Sequence, residues 1–406
     1  MKKMVRLYQP LTKPSKHTAR KVWITILLLI LVGAVGIAIK SQLFAPKPSA
    51  SEQKQQPKNS TPQPTSPKPS GLTVPSNFSL EQKIGQLLVV GISDKATAIN
   101  LEKTYQIGGF LLMTNSNMFD KTSTDEVKQA GSIIPIIAVD QEGGYVSRLP
   151  DQTFRNYTAR YMGTLPDEQV QGIGSQMGQS LAAIGANVDF APVLDIDDGQ
   201  NAAISYWHRS FSTDPTNVAQ KASAFAAGLR ATGIVPTFKH FPGLGYAIGA
   251  TNGDTDTGPA TTPSFATLQQ KDLLPYKIIQ APDVSTVMVG NQTVPGLTNG
   301  LPASLSDATY DYLRKTYNFQ QVTFTDEIAG AKSIADVEPT PTQAVIDALK
   351  AGADMPLVNV SSEQEVTTII AGVEQAVQTN QLSIQRITEA LNRIMALKTW
   401  ITQHNT

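Results

Sequence analysis

A chain of 406 residues, 41% hydrophobic and 16% charged, carries enough apolar material for a large core and is not the composition of a disordered or fibrous protein. It has no cysteine, which excludes a disulfide framework, thiolate metal ligation and a cysteine-linked lipid. The formal net charge of zero hides a split: residues 1–47 hold nine of the 33 Lys/Arg and no acid, leaving 24 basic against 33 acidic residues in the rest, which argues against nucleic acid as the partner of that larger part.

Residues 1–21 form a basic tail with Lys2, Lys3, Arg6, Lys13, Lys16, Arg20 and Lys21. Residues 22–39, VWITILLLILVGAVGIAI, carry no charge. Roughly 18 residues at about 1.5 Å each reach about 27 Å, enough for a bilayer core. Trp23 stands at one end, where an indole prefers the interface. The basic residues ahead of it predict a single-pass signal-anchor helix with a cytoplasmic N-terminus and an extracytoplasmic body. A cleaved signal peptide is the alternative, although its apolar region usually spans only about 7–15 residues. Residues 40–77 are rich in Pro, Ser, Gln and Lys. Such a segment cannot bury enough surface to offset its ordering entropy, and its prolines keep it extended, so a disordered spacer is expected.

The body, residues 78–406, alternates short apolar runs with helical patterns. Strands are predicted at 85–92, 107–114, 134–140, 187–195, 235–240, 285–291, 321–326 and 354–360. Helices are predicted at 169–185, 215–233, 341–352 and 383–403. Near-continuous apolar strands fit a parallel sheet covered on both faces. Eight of them with crossovers predict an α/β fold, a closed (β/α)8 TIM barrel. An open doubly wound sheet is the alternative, but no G-x-G-x-x-G follows the first strand. In the last helix Ile384, Ile387, Leu391, Ile394, Leu397 and Ile401 recur at helical spacing and read as core.

Barrel chemistry sits at the C-terminal ends of strands. Here those ends carry Asp140, Glu142 and Arg148 (third strand), Asp195 (fourth), Lys239 and His240 (fifth), Asn291 (sixth), and Asp326 and Glu327 (seventh). Each alone has a bland explanation: Asp326 could cap a helix, and Lys239 could pair with a buried acid. Together on one rim they point to a site. No paired His-x-x-x-His suggests a metal, no Gly-x-x-x-x-Gly-Lys suggests a phosphate cradle, and no cofactor is implied. A rim of carboxylates, Lys, Arg and His suits an uncharged, polyhydroxylated ligand, and glycoside hydrolysis needs two carboxyl groups flanking the bond.

The body resembles glycoside hydrolase family 3, in its single-domain β-N-acetylhexosaminidase type. The matching motifs are DQEGG (140–144), FAPVLD (190–195), RSF with a following DP (209–215), KHFPG (239–243), PASLS (302–306), FTDE (324–327) and AGADM (351–355). The resemblance implies a retaining glycosidase with Asp326 as nucleophile, ionised at neutral pH. It implies sugar-binding roles for Asp140, Arg148, Arg209, Lys239 and His240. The chain departs from the family pattern where Tyr145 replaces an Arg, Leu244-Gly245 replaces His-Gly, and Gly290-Asn291 replaces Ala-His. The family loop after KHFPG carries Asp-Ser-His, whose His is the general acid/base. In this chain that loop holds no histidine, and Asp254-Thr255-Asp256 is its local match. Asp256 is then the expected acid/base, with Asp254 as its partner or the alternative acid. Two neighbouring carboxylates raise the pKa of one of them. The loop's glycines permit a closing motion.

The expected function is a membrane-anchored, extracytoplasmic retaining glycosidase that removes terminal non-reducing β-linked N-acetylhexosamine, or a related sugar, from cell-wall fragments or glycans. A catalytically silent glycan-binding module on a stalk is the rival from another class. A phosphorylase is the third possibility, disfavoured because Asp256 would repel phosphate. The expected partners are a carbohydrate and, through the N-terminal helix, a membrane, with no nucleic acid and no obligate protein partner.

Overall fold

The computed structural model describes residues 71–249, 253–279 and 284–404. The predicted anchor at 22–39, the basic tail and the linker up to residue 70 lie outside the described residues. Among those described, no helix is long and apolar enough to cross a membrane.

The described residues build a closed barrel of eight parallel strands in chain order around the ring. They are β1 (Val89–Ile92), β2 (Gly109–Leu112), β3 (Ile136–Val139), β4 (Val188–Asp189), β5 (Val235–Phe241), β6 (Thr286–Val289), β7 (Thr323–Glu327) and β8 (Met355–Asn359). Each overlaps its predicted run, with β5 and β7 reaching one residue beyond it. The ring closes between β1 and β8, where Val89 pairs with Leu357. Every residue of β1, β2, β3, β5 and β6 is buried, the physical reason these strands read as unbroken apolar runs. A two-stranded antiparallel hairpin, Ile248–Gly249 with Ala260–Thr261, stands outside the ring.

The covering helices start where the sequence supplies caps. Asp94, Asp120, Asp214, Thr340 and Ser362 each accept a backbone N–H of the first helical turn. Helices Asp167–Ala183 and Pro215–Arg230 pack closely because Gly174 and Gly228 meet the facing backbone. A Cβ would come within 2.4 Å of the Phe225 carbonyl at the first and 2.2 Å of the Gln171 carbonyl at the second.

The C-terminal helix, Ile384–His404, buries Ile387, Leu391, Ile394, Leu397 and Ile401 as its spacing predicts. Ile384 differs: it is the first residue of the helix and 54% exposed, ahead of the packed stretch. Asp354, from the AGADM motif, immediately precedes β8 and so lies at the rim opposite the strand ends. It is fully buried among Arg314, Arg386 and Arg393, with oxygen-to-nitrogen distances of 2.7–2.9 Å. It also accepts the Thr323 N–H at 3.0 Å. Burial alone would raise its pKa, but the three guanidiniums prevail and lower it. This motif residue therefore ties β7 to two helices and takes no part in the rim chemistry.

Candidate active site

The site is assembled at the C-terminal ends of β3, β5 and β7 and the loops beyond them. After β3 the DQEGG segment makes a tight turn in which the Glu142 and Gly143 N–H groups both donate to the Val146 carbonyl, at 2.9 and 3.1 Å. Gly143 has φ +89°, and a Cβ there would lie 2.3 Å from the Tyr157 carbonyl oxygen, so no other residue fits. Buried Gln141 pins the rest of the loop: its Oε1 accepts the N–H groups of Arg148 and Leu149 at 2.9 and 3.1 Å. In KHFPG the last glycine, Gly243, has φ +130° and leaves no room for a Cβ, which would lie 2.3 Å from Cβ of Asp272.

Glu142, one of the strand-end residues picked out in the sequence, is the centre of a buried charge network. Arg209 donates to both of its oxygens, Nε to Oε2 and Nη2 to Oε1, each at 2.8 Å. Lys239 Nζ bridges it to Asp140, at 2.7 Å from Glu142 Oε1 and 2.8 Å from Asp140 Oδ1. Burial alone would push the Glu142 pKa up. Arg209 and Lys239 overcome that and hold the carboxyl far below its usual range. Likewise burial works against the charged forms of Lys239 and Arg209, yet the facing carboxylates raise both pKa values. All three side chains are thus fixed as ions before any sugar arrives, which suits recognition of hydroxyl groups.

Lys239 and His240 are neighbours on β5, joined by a cis peptide bond, and both face the pocket. His240 Nδ1 lies 2.6 Å from Asp195 Oδ2, and Asp195 Oδ1 accepts the Leu244 N–H at 2.7 Å. With its proton on Nδ1 and donated to Asp195, the imidazole turns Nε2 toward Arg209, 3.4 Å from Nη2. Asn291 acts behind the wall: its amide donates to the Glu327 carbonyl at 2.7 Å and its Oδ1 accepts the Ser304 hydroxyl.

The carboxyls on which chemistry would depend come from two segments that bind each other. Asp326, near the end of β7, accepts the Glu327 N–H on Oδ1 at 2.9 Å. Glu327 itself is spent on the backbone: its Oε1 accepts from Ala329, Gly330 and Asn359 at 2.7, 3.0 and 3.1 Å. The loop after β5 meets the helix after β7, where Lys332 N–H donates to the Asp256 carbonyl at 3.0 Å and Ser333 N–H to the Thr255 carbonyl at 3.2 Å. From the other side buried Asn201 donates to the carbonyls of Leu244, Ala247 and Gly253, at 2.8, 3.0 and 3.3 Å. The glycine-rich loop, whose glycines permit a closing motion, is tied to its neighbours at both flanks. Asp254 Oδ1 accepts the Asp256 N–H at 3.1 Å, so Asp254 shapes the turn that carries Asp256.

Asp256 keeps an exposed surface at the pocket mouth, yet the surrounding walls remove much of its hydration. That desolvation comes first, followed by the charges of Asp326, Asp254 and Glu327, and together they push its pKa up to about 7 against the pull of Arg209. Near neutral pH a large share of Asp256 therefore keeps its proton, in the same pocket that Asp326 lines.

Most of the residues singled out in the sequence share one cavity, whereas Asp195, Asn291 and Glu327 do not line it. Asp140, Arg148, Arg209, Lys239, His240, Asp254, Asp256 and Asp326 all line one cavity of about 130 Å3. Sequence reasoning missed the central position of Glu142 and the support from Asp195, which require knowing that Arg209 and His240 fold against them. It also missed Trp207, which lines the same cavity. Its signal was only its place two residues before Arg209.

Residues 79–397 match the profile of the glycosyl hydrolase family 3 N-terminal domain. The chain is 34% identical over 334 residues to beta-hexosaminidase LpqI of Mycobacterium tuberculosis, covering 80% of this chain and 84% of that protein. It also resembles the crystal structure of a family 3 glycosyl hydrolase from Mycobacterium smegmatis, with TM-score 0.73 and 34% identity over 79% of this chain and 97% of that one. A beta-N-acetylhexosaminidase from Beutenbergia cavernae superimposes with TM-score 0.70 at 28% identity, over 80% and 99% of the two chains.

Proposed function

The chain belongs to glycosyl hydrolase family 3 and is a glycoside hydrolase of O-glycosyl bonds, and on that premise we propose that it is a retaining exo-acting β-N-acetylhexosaminidase in which an aspartate, Asp256, performs the general acid/base step. The observation that carries this reading is the single pocket that Asp256, with its pKa near 7, and Asp326 both line beside the Glu142–Arg209–Lys239 network.

In the proposed first step, an Asp326 oxygen attacks the anomeric carbon while the glycosidic C–O bond breaks. The Asp256 proton passes to the departing oxygen, giving a glycosyl ester and a free hydroxyl. Esterification removes the Asp326 charge, which is the largest charge contribution to the raised Asp256 pKa. Asp256, now ionised and more acidic, takes a proton from water as the water oxygen attacks the ester-linked carbon. Asp326 departs as carboxylate, and the anomeric configuration is restored. Lys239, Asp140, Arg148, Arg209 and His240 hold the hydroxyls of the terminal sugar, with a grip that strengthens as the transition state takes on oxocarbenium character. The N-acetylhexosamine preference is proposed from its relatives, a beta-hexosaminidase and a beta-N-acetylhexosaminidase. Cell-wall fragments or glycans are the proposed source of that sugar.

The test is a panel of 4-methylumbelliferyl β-glycosides with the full-length protein, watched for the anomer first released. The N-acetyl-β-glucosaminide should be the preferred substrate and the β-anomer of the free sugar the first product. No hydrolysis across the panel, or release of the α-anomer, would sink the reading. Adding phosphate should give no sugar 1-phosphate, since an ionised Asp256 repels the anion in the second step.

A pH dependence follows with a definite sign. The pKa of Asp256 is raised, so the proton that the first step needs is present below about pH 7 and lost above it. For a glycoside with a poor leaving group, kcat/KM should fall about tenfold per pH unit above that point. A profile flat to pH 9 would remove Asp256 from the acid role.

Membrane anchoring is proposed as well, supported by the uncharged stretch at 22–39 and the seven basic residues ahead of it. The full-length protein should sediment with membranes and resist carbonate extraction, whereas recovery in the carbonate supernatant would refute the anchor.

A further inference from the structure

The pocket leaves part of the substrate unaccounted for. At about 130 Å3 it is well below the roughly 300–1,000 Å3 of sites that enclose a drug-sized ligand. A pocket of that size suits a single terminal sugar, with whatever that sugar is attached to extending over the rim. One side of that rim is aromatic and exposed. Trp207 is 41% exposed while also lining the pocket, and Tyr145 is 58% exposed on the turn that carries Glu142, Val146 and Arg148 into the same pocket. His208 joins them, its ring edge-on to Tyr145 with centroids 6.2 Å apart.

Large aromatic side chains left in water are costly, and the turns that carry these two are pinned by hydrogen bonds. The Arg209 N–H donates to the Ile204 carbonyl at 2.9 Å and closes the turn that displays Trp207. Asn201 accepts the Ile204 N–H at 3.2 Å at the start of that turn. Arg160 clamps its middle by donating to Asp197 at 2.5 Å and to the Ser205 carbonyl at 2.7 Å. On the other loop, the glycines at 143 and 144 and the two bonds to the Val146 carbonyl fix Tyr145. Aromatic side chains carried on pinned turns beside a sugar pocket suit a flat, partly apolar ring.

We propose that Trp207 and Tyr145 form a second sugar subsite, a platform on which the pyranose on the leaving side of the scissile bond stacks through its C–H face. This rests on the glycosidase reading above and extends it: the chain is built for a terminal sugar linked to another sugar, not to a small or peptidic aglycone. Stacking removes the C–H face of the ring and the aromatic surface from water together, while the sugar's hydroxyls stay solvated at its edge. Tyr145 stands where the family pattern carries an Arg, so the platform is a property of this chain's own residues.

The deciding measurement is the ratio of kcat/KM for a β-1,4-linked N-acetylglucosamine disaccharide to that for methyl N-acetyl-β-glucosaminide, taken for the full-length protein, Trp207→Ala, Trp207→Phe and Tyr145→Ala. The ratio should drop about tenfold in Trp207→Ala, several-fold in Tyr145→Ala, and recover largely in Trp207→Phe. A ratio within twofold of the parent in Trp207→Ala overturns the proposal. So does an equal loss on both substrates, which would make Trp207 a wall of the first pocket only. Calorimetry in an Asp326→Asn background separates this from the catalytic reading. Tighter binding of the disaccharide than of the monosaccharide, weakened by adding Trp207→Ala, supports the platform even if the parent protein hydrolyses neither substrate. Equal affinity for the two sugars overturns it even if hydrolysis proceeds.

Discussion

Asp326→Asn is expected to lower turnover of an aryl N-acetyl-β-glucosaminide by about 10^4-fold or more, the scale on which enzymes lose activity when their nucleophile is removed. The substitution is close to isosteric. The Asn side-chain oxygen can still accept the Glu327 N–H that Asp326 accepts at 2.9 Å, so the end of β7 keeps its shape. A loss of that size therefore reports on attack at carbon rather than on folding. The same variant makes a second prediction. The Asp326 charge is the largest contribution to the raised Asp256 pKa after desolvation, so the acid limb governed by Asp256 should move below about pH 7 in the residual activity. Azide gives the stereochemical check in Asp326→Gly. With the carboxylate gone, azide can enter from the vacated face and yield the α-glycosyl azide. Retention of activity within tenfold in Asp326→Asn would remove the residue from the nucleophile role.

The barrel was legible because its strands are buried on both faces. A strand of that kind has no alternation to confuse, and the runs at β1, β3 and β6 stand out as apolar blocks bounded by polar turns. The strand-end residues were legible for a related reason: a polar group closing an apolar run has few places to go except the rim. What the sequence could not disclose was pairing. Glu142 looks like any acid in a turn until Arg209, distant in the chain, folds against both of its oxygens. Asp354 shows the converse. It belongs to a family motif and so looks functional, but it precedes its strand, and three arginines occupy it at the opposite end of the barrel. The loop glycines show in the sequence that a closing motion is permitted, not what the loop touches. Asn201 and the Lys332 and Ser333 amides supply those contacts.

Asp256→Ala should produce a loss that depends on the leaving group, and that dependence is what identifies an acid/base. With a methyl or sugar leaving group, removal of general acid catalysis should cost about 10^2–10^4-fold in kcat/KM. With 2,4-dinitrophenol the departing oxygen barely needs a proton, so the first step should survive nearly intact. The second step still lacks its base. The variant should therefore release a burst of dinitrophenol equal to the enzyme present and then slow, as the glycosyl ester on Asp326 accumulates. Azide needs no base, so it should restore steady turnover and yield the β-glycosyl azide, the anomer opposite to that expected from Asp326→Gly. The pair of azide products thus assigns the two carboxyls to the two faces of the sugar. Asp254→Ala provides the internal control. Asp254 Oδ1 accepts the Asp256 N–H, and its charge contributes to the raised Asp256 pKa. Its loss should distort and acidify Asp256, lowering activity and moving the upper pH limb downward, without a burst and without azide rescue. If the burst and rescue appear in Asp254→Ala and not in Asp256→Ala, the two aspartates exchange roles, and the turn that here presents Asp256 to the pocket presents its neighbour instead.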